Sequence, residues 1–171
     1  MLKKVVKKHN NDTMCFVCGV DNEAGLKSAF YELEGGIFAC IVTPKEIHQS
    51  YPGRVHGGVI TAMLDETAGR AVNVTEPETW AVTGELTTRY KKPVPYGEKL
   101  LIIGKVIKNN RLFFDAEGYL VLPDGQIAAT AKGRYVKMKI SEITKGLRED
   151  QWCVRNYDDD PEYIDIPDNL L

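Results

Sequence analysis

A histidine and two glycines at the start of an apolar stretch are the residues of this sequence best suited to chemistry. His56-Gly57-Gly58 precedes the run Val59-Ile60-Thr61-Ala62-Met63-Leu64. A helix that begins at this turn has free backbone N–H groups at its first residues, and these amides favour negative charge. Glycine has no Cβ, so a ligand can approach the main chain closely. The turn is therefore a candidate oxyanion hole.

Asp65 ends this apolar run and is a candidate base or nucleophile. An ionised carboxylate in an apolar helix costs several kcal/mol unless it is paired or neutralised. The alternative to a catalytic role is a structural one, in which Asp65 is a buried acid bonded to a neighbouring strand or subunit. The spacing places Thr61, Asp65 and Gly69 on one stripe of the helix, and the small residues of that stripe allow a ligand or another backbone to come close. Glu66 and Arg70, four residues apart, are predicted to form a structural ion pair.

The elements around these residues predict an α+β fold. The apolar segment over roughly 56–73 has hardly any polar face, which predicts a buried helix. Two strand-like runs precede it, 26–34 and 37–43, separated by the hairpin signal Gly35-Gly36. Four more strand-like runs follow it, at 80–91, 100–108, 112–122 and 126–138, with short turns between them. We therefore expect an antiparallel sheet of five to six strands wrapped around one long buried helix.

Length and composition predict one domain with two extensions. The chain has 171 residues, of which 43% are hydrophobic and 27% charged, as in ordinary globular proteins. We expect a lead-in segment at 1–25, the main domain at 26–139 and an acidic extension at 140–171 that is mostly exposed. The absence of a long apolar run or signal peptide predicts a cytoplasmic protein with no membrane contact.

Charge argues against a nucleic-acid partner and for a small anionic one. The formal net charge of −2 combines a balance of +4 over 1–140 with −6 over 141–171. A mildly basic body suits an anionic small ligand, whereas no basic stripe or nucleic-acid motif is present.

The sequence also contains four cysteines, whose thiols are capable of metal binding or redox chemistry. Cys15 and Cys18 have the CxxC spacing of a zinc knuckle or a redox pair. A structural zinc site needs four ligands, and no second pair lies at the usual spacing. We therefore expect reduced thiols in a tight turn and no bound metal.

Several motifs together resemble the hotdog-fold acyl-CoA thioesterases, most closely the phenylacetyl-CoA thioesterase (PaaI-like) branch. The resemblance covers roughly residues 12–139. It rests on the order of strands and helix and on these segments: Cys15-Phe16-Val17-Cys18-Gly19 with Gly25-Leu26, the run from His48 to Gly58, Leu64-Asp65-Glu66, Val82-Thr83, and Arg89-Tyr90 followed by Pro93, Gly97 and Glu98.

The resemblance implies a role for each matching residue. The N–H of Gly57, helped by Gly58, would polarise a thioester carbonyl, and His56 would shape the turn. Asp65 would activate water or attack the carbonyl itself. Thr83 stands where related enzymes place a residue that holds the water and that usually reaches the site across a dimer interface.

One position departs from the family pattern. Related enzymes often carry an amide side chain six residues before the motif histidine, where it assists at the carbonyl. Here that position is Ser50, and Gln49 stands beside it. Either Gln49 takes the role or the oxyanion hole is weaker.

The same resemblance implies a ligand, an assembly and a reaction. The substrate would be an acyl-CoA, with coenzyme A as part of the substrate and no separate cofactor. Among the basic residues, Arg89, Arg111 and Lys132 are candidates to bind the phosphates of coenzyme A. The alternative for each is a solvent-exposed position on a strand or turn with no ligand. A homodimer or homotetramer is expected. The competing functions are a hydratase or dehydratase on the same fold, and a non-catalytic acyl-CoA-binding domain.

Overall fold

A computed structural model describes residues 1–144, 146 and 151–170. Strands dominate the structure, and one helix of fourteen residues follows the sixth strand. In chain order the elements are β1 (Leu2–Lys8), β2 (Asn11–Asp12), β3 (Ala29–Leu33), β4 (Ile37–Val42), β5 (Gln49–Tyr51), β6 (Arg54–Val55), α1 (Gly57–Arg70), β7 (Trp80–Tyr90), β8 (Leu100–Asn109), β9 (Phe113–Val121), β10 (Ile127–Met138), α2 (Ile140–Ile143), β11 (Trp152–Cys153) and β12 (Tyr163–Asp165).

Eight of the strands form one antiparallel sheet in the order β12-β1-β3-β4-β8-β9-β10-β7. The hairpin between β3 and β4 turns at Gly35 and Gly36, whose φ angles of 84° and 73° suit glycine. Helix α1 contacts β8, β9, β10 and β7 on one face of this sheet. The α+β class and the central helix therefore agree with the sequence prediction.

The helix lies close to the sheet because two strands present glycine beneath it. A Cβ added to Gly104 of β8 would lie 2.6 Å from the carbonyl oxygen of Thr67. A Cβ added to Gly118 of β9 would lie 3.1 Å from the carbonyl oxygen of Leu64. The helix backbone thus occupies the space that larger side chains would fill.

The sheet has more strands than the five to six predicted, because both ends of the chain pair with it. Strand β1 pairs with β3, and β12 pairs with β1. Most described residues of the C-terminal extension are exposed, as predicted, whereas Ile164 and Ile166 are buried against the sheet. Apolar contacts therefore hold the end of the chain on the body.

The helix is buried on its sheet side and partly open on the other. Its bounds lie within the predicted 56–73, and a 3₁₀ turn continues it over Ala71–Val74. The residues that face the sheet, Ile60, Met63, Leu64, Thr67 and Ala68, are buried, whereas Val59, Ala62 and Asp65 are half-buried. None of the described helices is long and apolar enough to cross a membrane.

Candidate active site

The first residues of α1 form a capped helix start with one free amide. His56 is the N-cap residue, and its Nδ1 accepts a hydrogen bond of 2.9 Å from the N–H of Gly58. The N–H of Gly57 has no partner among the described residues. Because His56 occupies the amide of Gly58, Gly57 is the residue whose N–H remains available to a ligand.

Asp65 has a hydroxyl partner on β7. The Thr83 hydroxyl donates to the Asp65 carboxylate, at 3.0 Å from Oδ1 and 3.2 Å from Oδ2. Asp65 is half-buried and Thr83 is exposed, so water can reach the pair. Both residues belong to one chain, so Thr83 reaches Asp65 without a second subunit.

A β-bulge directs Thr83 toward the helix. In the pairing of β7 with β10, Glu85 lies opposite Arg134 and Thr83 lies opposite Tyr135, so Gly84 is an extra residue in β7. A bulge of this kind re-aims the side chains on either side of it. Without the bulge, strict alternation would turn Thr83 away from α1.

Tyr90 also joins β7 to the helix, a contact that the sequence pattern does not predict. Its hydroxyl donates to the carbonyl oxygen of Gly57 at 3.0 Å and lies 2.6 Å from the hydroxyl of Thr61. Thr61 also donates to Thr88 at 3.3 Å. The stripe of α1 that carries Asp65 is therefore bonded along its length to β7.

Gly57 and Asp65 lie at two separate points of this stripe. Eight residues of α-helix correspond to about 12 Å along the axis. The N–H groups of the first turn point along the axis and away from the helix body, so a carbonyl bound at Gly57 lies still farther from Asp65. One carbonyl cannot contact both groups of a single chain.

The other residues near the helix start have local structural partners or are exposed. Buried His48 accepts from the N–H of Lys45 at 2.9 Å through Nδ1, and its Nε2 lies 3.0 Å from the carbonyl oxygen of Ala24. Its contacts are thus those of a histidine that bonds local backbone. Gln49 and Ser50 are exposed on β5, which pairs with β6 just before α1. Neither side chain bonds to the helix start within the part of the chain that the structure describes.

Two of the three predicted phosphate-binding residues lie together, on the face of the sheet opposite α1. Arg89 and Lys132 line a groove of about 550 Å³ over β7, β9 and β10. Lys132 alternates with buried residues that face α1, so the groove is on the opposite face of the sheet. Lys132 also lies 3.6 Å from Glu117, and Arg111 lies in the turn between β8 and β9. The structure does not bring this basic set together with the helix start.

A second group of ionisable residues lies beside α1. The Glu66 carboxylate is 3.8 Å from the Arg70 guanidinium, which confirms the predicted ion pair. Burial raises the pKa of Glu66 to about 7, although Arg70 opposes the shift. Cys15 and Cys18 are free thiols, as predicted. The hydrogen bond between them lowers the pKa of Cys15 to about 6 and raises that of Cys18.

Comparison with known proteins identifies a family for the central part of the chain. Residues 52–127 match the family model of the thioesterase superfamily, and this range includes His56, Gly57, Asp65 and Thr83. The acyl-coenzyme A thioesterase THEM4 of Xenopus laevis is 31% identical over 110 residues, which are 63% of this chain and 48% of that protein. The chain thus spans about half the length of this curated relative.

Solved structures confirm the predicted hotdog fold. The crystal structure of a thioesterase superfamily protein matches with a TM-score of 0.65 and 30% identity, over 71% of this chain and 59% of that one. The PaaI protein of the phenylacetic acid degradation operon of E. coli matches with a TM-score of 0.60 over 67% of this chain and 81% of that one. Its identity of 17% makes the second likeness one of fold alone.

Proposed function

We propose that this chain, which belongs to the thioesterase superfamily, hydrolyses an acyl-CoA to a carboxylic acid and free coenzyme A. The observation that carries the proposal is the hydrogen bond from Thr83 of β7 to Asp65, which lies on the same helix as the free amide of Gly57. The name of the THEM4 relative supports an acyl-CoA as the substrate.

The proposed chemistry starts at the Asp65 carboxylate. As a general base, Asp65 takes a proton from water while the water oxygen bonds to the thioester carbon. As a nucleophile, it attacks that carbon itself, and water then releases the acid from the acyl-aspartate. In either case the C–S bond breaks, and the coenzyme A sulfur receives a proton. Thr83 holds the carboxylate through its hydroxyl and leaves room for water on the exposed side.

The N–H of Gly57 is the proposed donor to the carbonyl oxygen. Negative charge develops on that oxygen in the transition state, and the helix start favours it. Removing one such donor typically lowers kcat by about 10²–10³-fold. A thioester carbonyl has less resonance stabilisation than an oxygen ester, so these groups suffice without a metal or redox cofactor.

The distance between the two groups supports a site built from two copies of the chain. Gly57 of one copy and Asp65 of another would act on one carbonyl if their helices lay side by side in opposite directions. A homodimer is the smallest assembly that meets this condition, and a homotetramer contains it twice. The four free thiols suit a reducing compartment, so the cytoplasm remains the proposed location.

The structure gives the two alternative functions less support. A hydratase or dehydratase needs a histidine that moves a proton at carbon, and the Nδ1 of His56 is occupied as the helix cap. A binding domain without turnover has no need for a water-accessible carboxylate bonded to Thr83. Release of free thiol from an acyl-CoA distinguishes hydrolysis from both alternatives.

The direct test replaces Asp65. We expect Asp65→Asn and Asp65→Ala to lower turnover by at least about 10²-fold while the fold and oligomeric state persist. We also expect Asp65→Asn to retain substrate binding. A thiol-release assay over short, medium, long and aromatic acyl-CoAs would measure both variants, with the exposed Asp21→Asn as a control that retains activity. Unchanged turnover of a good substrate by Asp65→Ala would refute the proposal.

A further inference from the structure

The fold brings a third metal-ligating side chain to the CxxC turn. The sulfur atoms of Cys15 and Cys18 and a carboxylate oxygen of Glu66 all lie within 4.8 Å of one another. Sequence spacing predicted no site because the two cysteines lacked further ligands nearby. Glu66 supplies one from α1, far along the chain, and points away from the helix stripe that carries Asp65.

Backbone N–H groups already surround the two sulfur atoms. The amides of Val17 and Cys18 donate to the Cys15 sulfur at 3.3 and 3.4 Å, and that of Asp12 donates to the Cys18 sulfur at 3.4 Å. Hydrogen bonds to ligand atoms orient them and stabilise a metal-bound thiolate. The turn is also tightly closed, because a Cβ on Gly19 would clash with the carbonyl oxygen of Cys15.

A buried cation beside the cluster balances its charge. Arg70 is 8% exposed, and its Nε and Nη1 atoms have no hydrogen-bond partner among the described residues. Its Nη1 lies 3.8 Å from Glu66. Two thiolates and one carboxylate would carry a charge of about −3, which a divalent ion together with Arg70 neutralises.

We propose that Cys15, Cys18 and Glu66 bind one divalent cation of the zinc class. Two thiolates and a carboxylate form a donor set that zinc accepts, whereas calcium and magnesium prefer oxygen ligands alone. Ligand atoms of a tetrahedral zinc site lie about 3.5–3.8 Å apart, so side-chain shifts of about 1 Å close the observed cluster. Water can complete the coordination because Cys15 is only half-buried. The ion would fasten the CxxC turn to α1 next to Asp65.

Cobalt binding tests this proposal independently of hydrolysis. The reduced, chelator-treated protein is titrated with Co²⁺, and thiolate-to-cobalt charge-transfer absorption is recorded. We expect about one ion per chain, displacement of Co²⁺ by Zn²⁺, and a higher Tm in the presence of either metal.

Single substitutions assign the ligands. We expect Cys15→Ser and Cys18→Ser to abolish the charge-transfer absorption and Glu66→Gln to weaken binding at least about tenfold. Cys153→Ser, which alters a half-buried thiol outside the cluster, should bind as the unaltered protein does. Circular dichroism checks that each variant is folded.

Three results would overturn the proposal. The unaltered protein would show no charge-transfer absorption, or the absorption would survive in folded Cys15→Ser and Cys18→Ser. A protein that forms only a Cys15–Cys18 disulfide and binds neither metal after reduction would overturn it equally.

Discussion

At the residue scale, the candidate site depends on how each polar group near α1 is already bonded. His56 occupies the amide of Gly58 and leaves that of Gly57 free, whereas Thr83 binds Asp65 without excluding water. All five residues can be identified from the sequence. Their contacts cannot be assigned from it, because the bulge at Gly84 that turns Thr83 toward α1 has no unambiguous signature in one sequence.

Replacement of Gly57 by proline tests the proposed oxyanion donor. Proline is well tolerated at the first position of a helix and has no N–H, so Gly57→Pro removes the donor while keeping the helix start. His56 has the extended conformation, with ψ of 138°, that a residue before proline requires. We expect kcat to fall by about 10²–10³-fold in the thiol-release assay.

Gly57→Ala is the matched control because it keeps the N–H. A Cβ at this position would lie 3.5 Å from the Tyr90 hydroxyl, which is ordinary contact. We expect the alanine variant to retain most of its activity. An alanine variant that is active and a proline variant that is equally active would show that the Gly57 amide has no part in the reaction.

At the element scale, sequence patterns predict the helix and the central strands of the hotdog fold. They do not predict the strands at the margin of the sheet. The apolar helix and the four strands after it were predicted from periodicity and turn residues. Strand β1, rich in lysine, and the three-residue β12 were missed because long-range pairing, rather than local pattern, stabilises them. The glycines beneath α1 were likewise unrecognised, since only the fold shows that a helix backbone lies over them.

Alanine at Gly104 tests the close contact between helix and sheet. The added Cβ would lie 2.6 Å from a carbonyl oxygen of the helix backbone, so α1 has to move away from β8. Overpacking of this kind lowers the free energy of unfolding by about 1–3 kcal/mol. Urea unfolding of Gly104→Ala measures the loss of free energy of unfolding. Gly57→Ala is the control, because the added methyl group has room at that position. A Gly104→Ala variant as stable as the unaltered protein would contradict this description of the packing.

At the scale of the whole molecule, the edge strand β7 is available for contact with a second copy of the chain. Strand β7 is the last strand of the sheet, has eleven residues and carries Thr83 and Tyr90. An unpaired edge strand of this length is a natural site for pairing with another chain. A twofold contact along β7 would set two α1 helices side by side in opposite directions, with each Gly57 facing the other copy's Asp65.

Mixing two inactive variants tests this arrangement most directly. Asp65→Asn and Gly57→Pro are each expected to be nearly inactive alone, because both sites of each homodimer lack one group. In a mixed dimer, one site receives intact Asp65 from the Gly57→Pro chain and intact Gly57 from the Asp65→Asn chain. Reassembly of the two variants in equal amounts should therefore restore about a quarter of the unaltered thiol-release rate. A mixture no more active than the sum of its separate components, although mixed dimers form, would contradict the shared site.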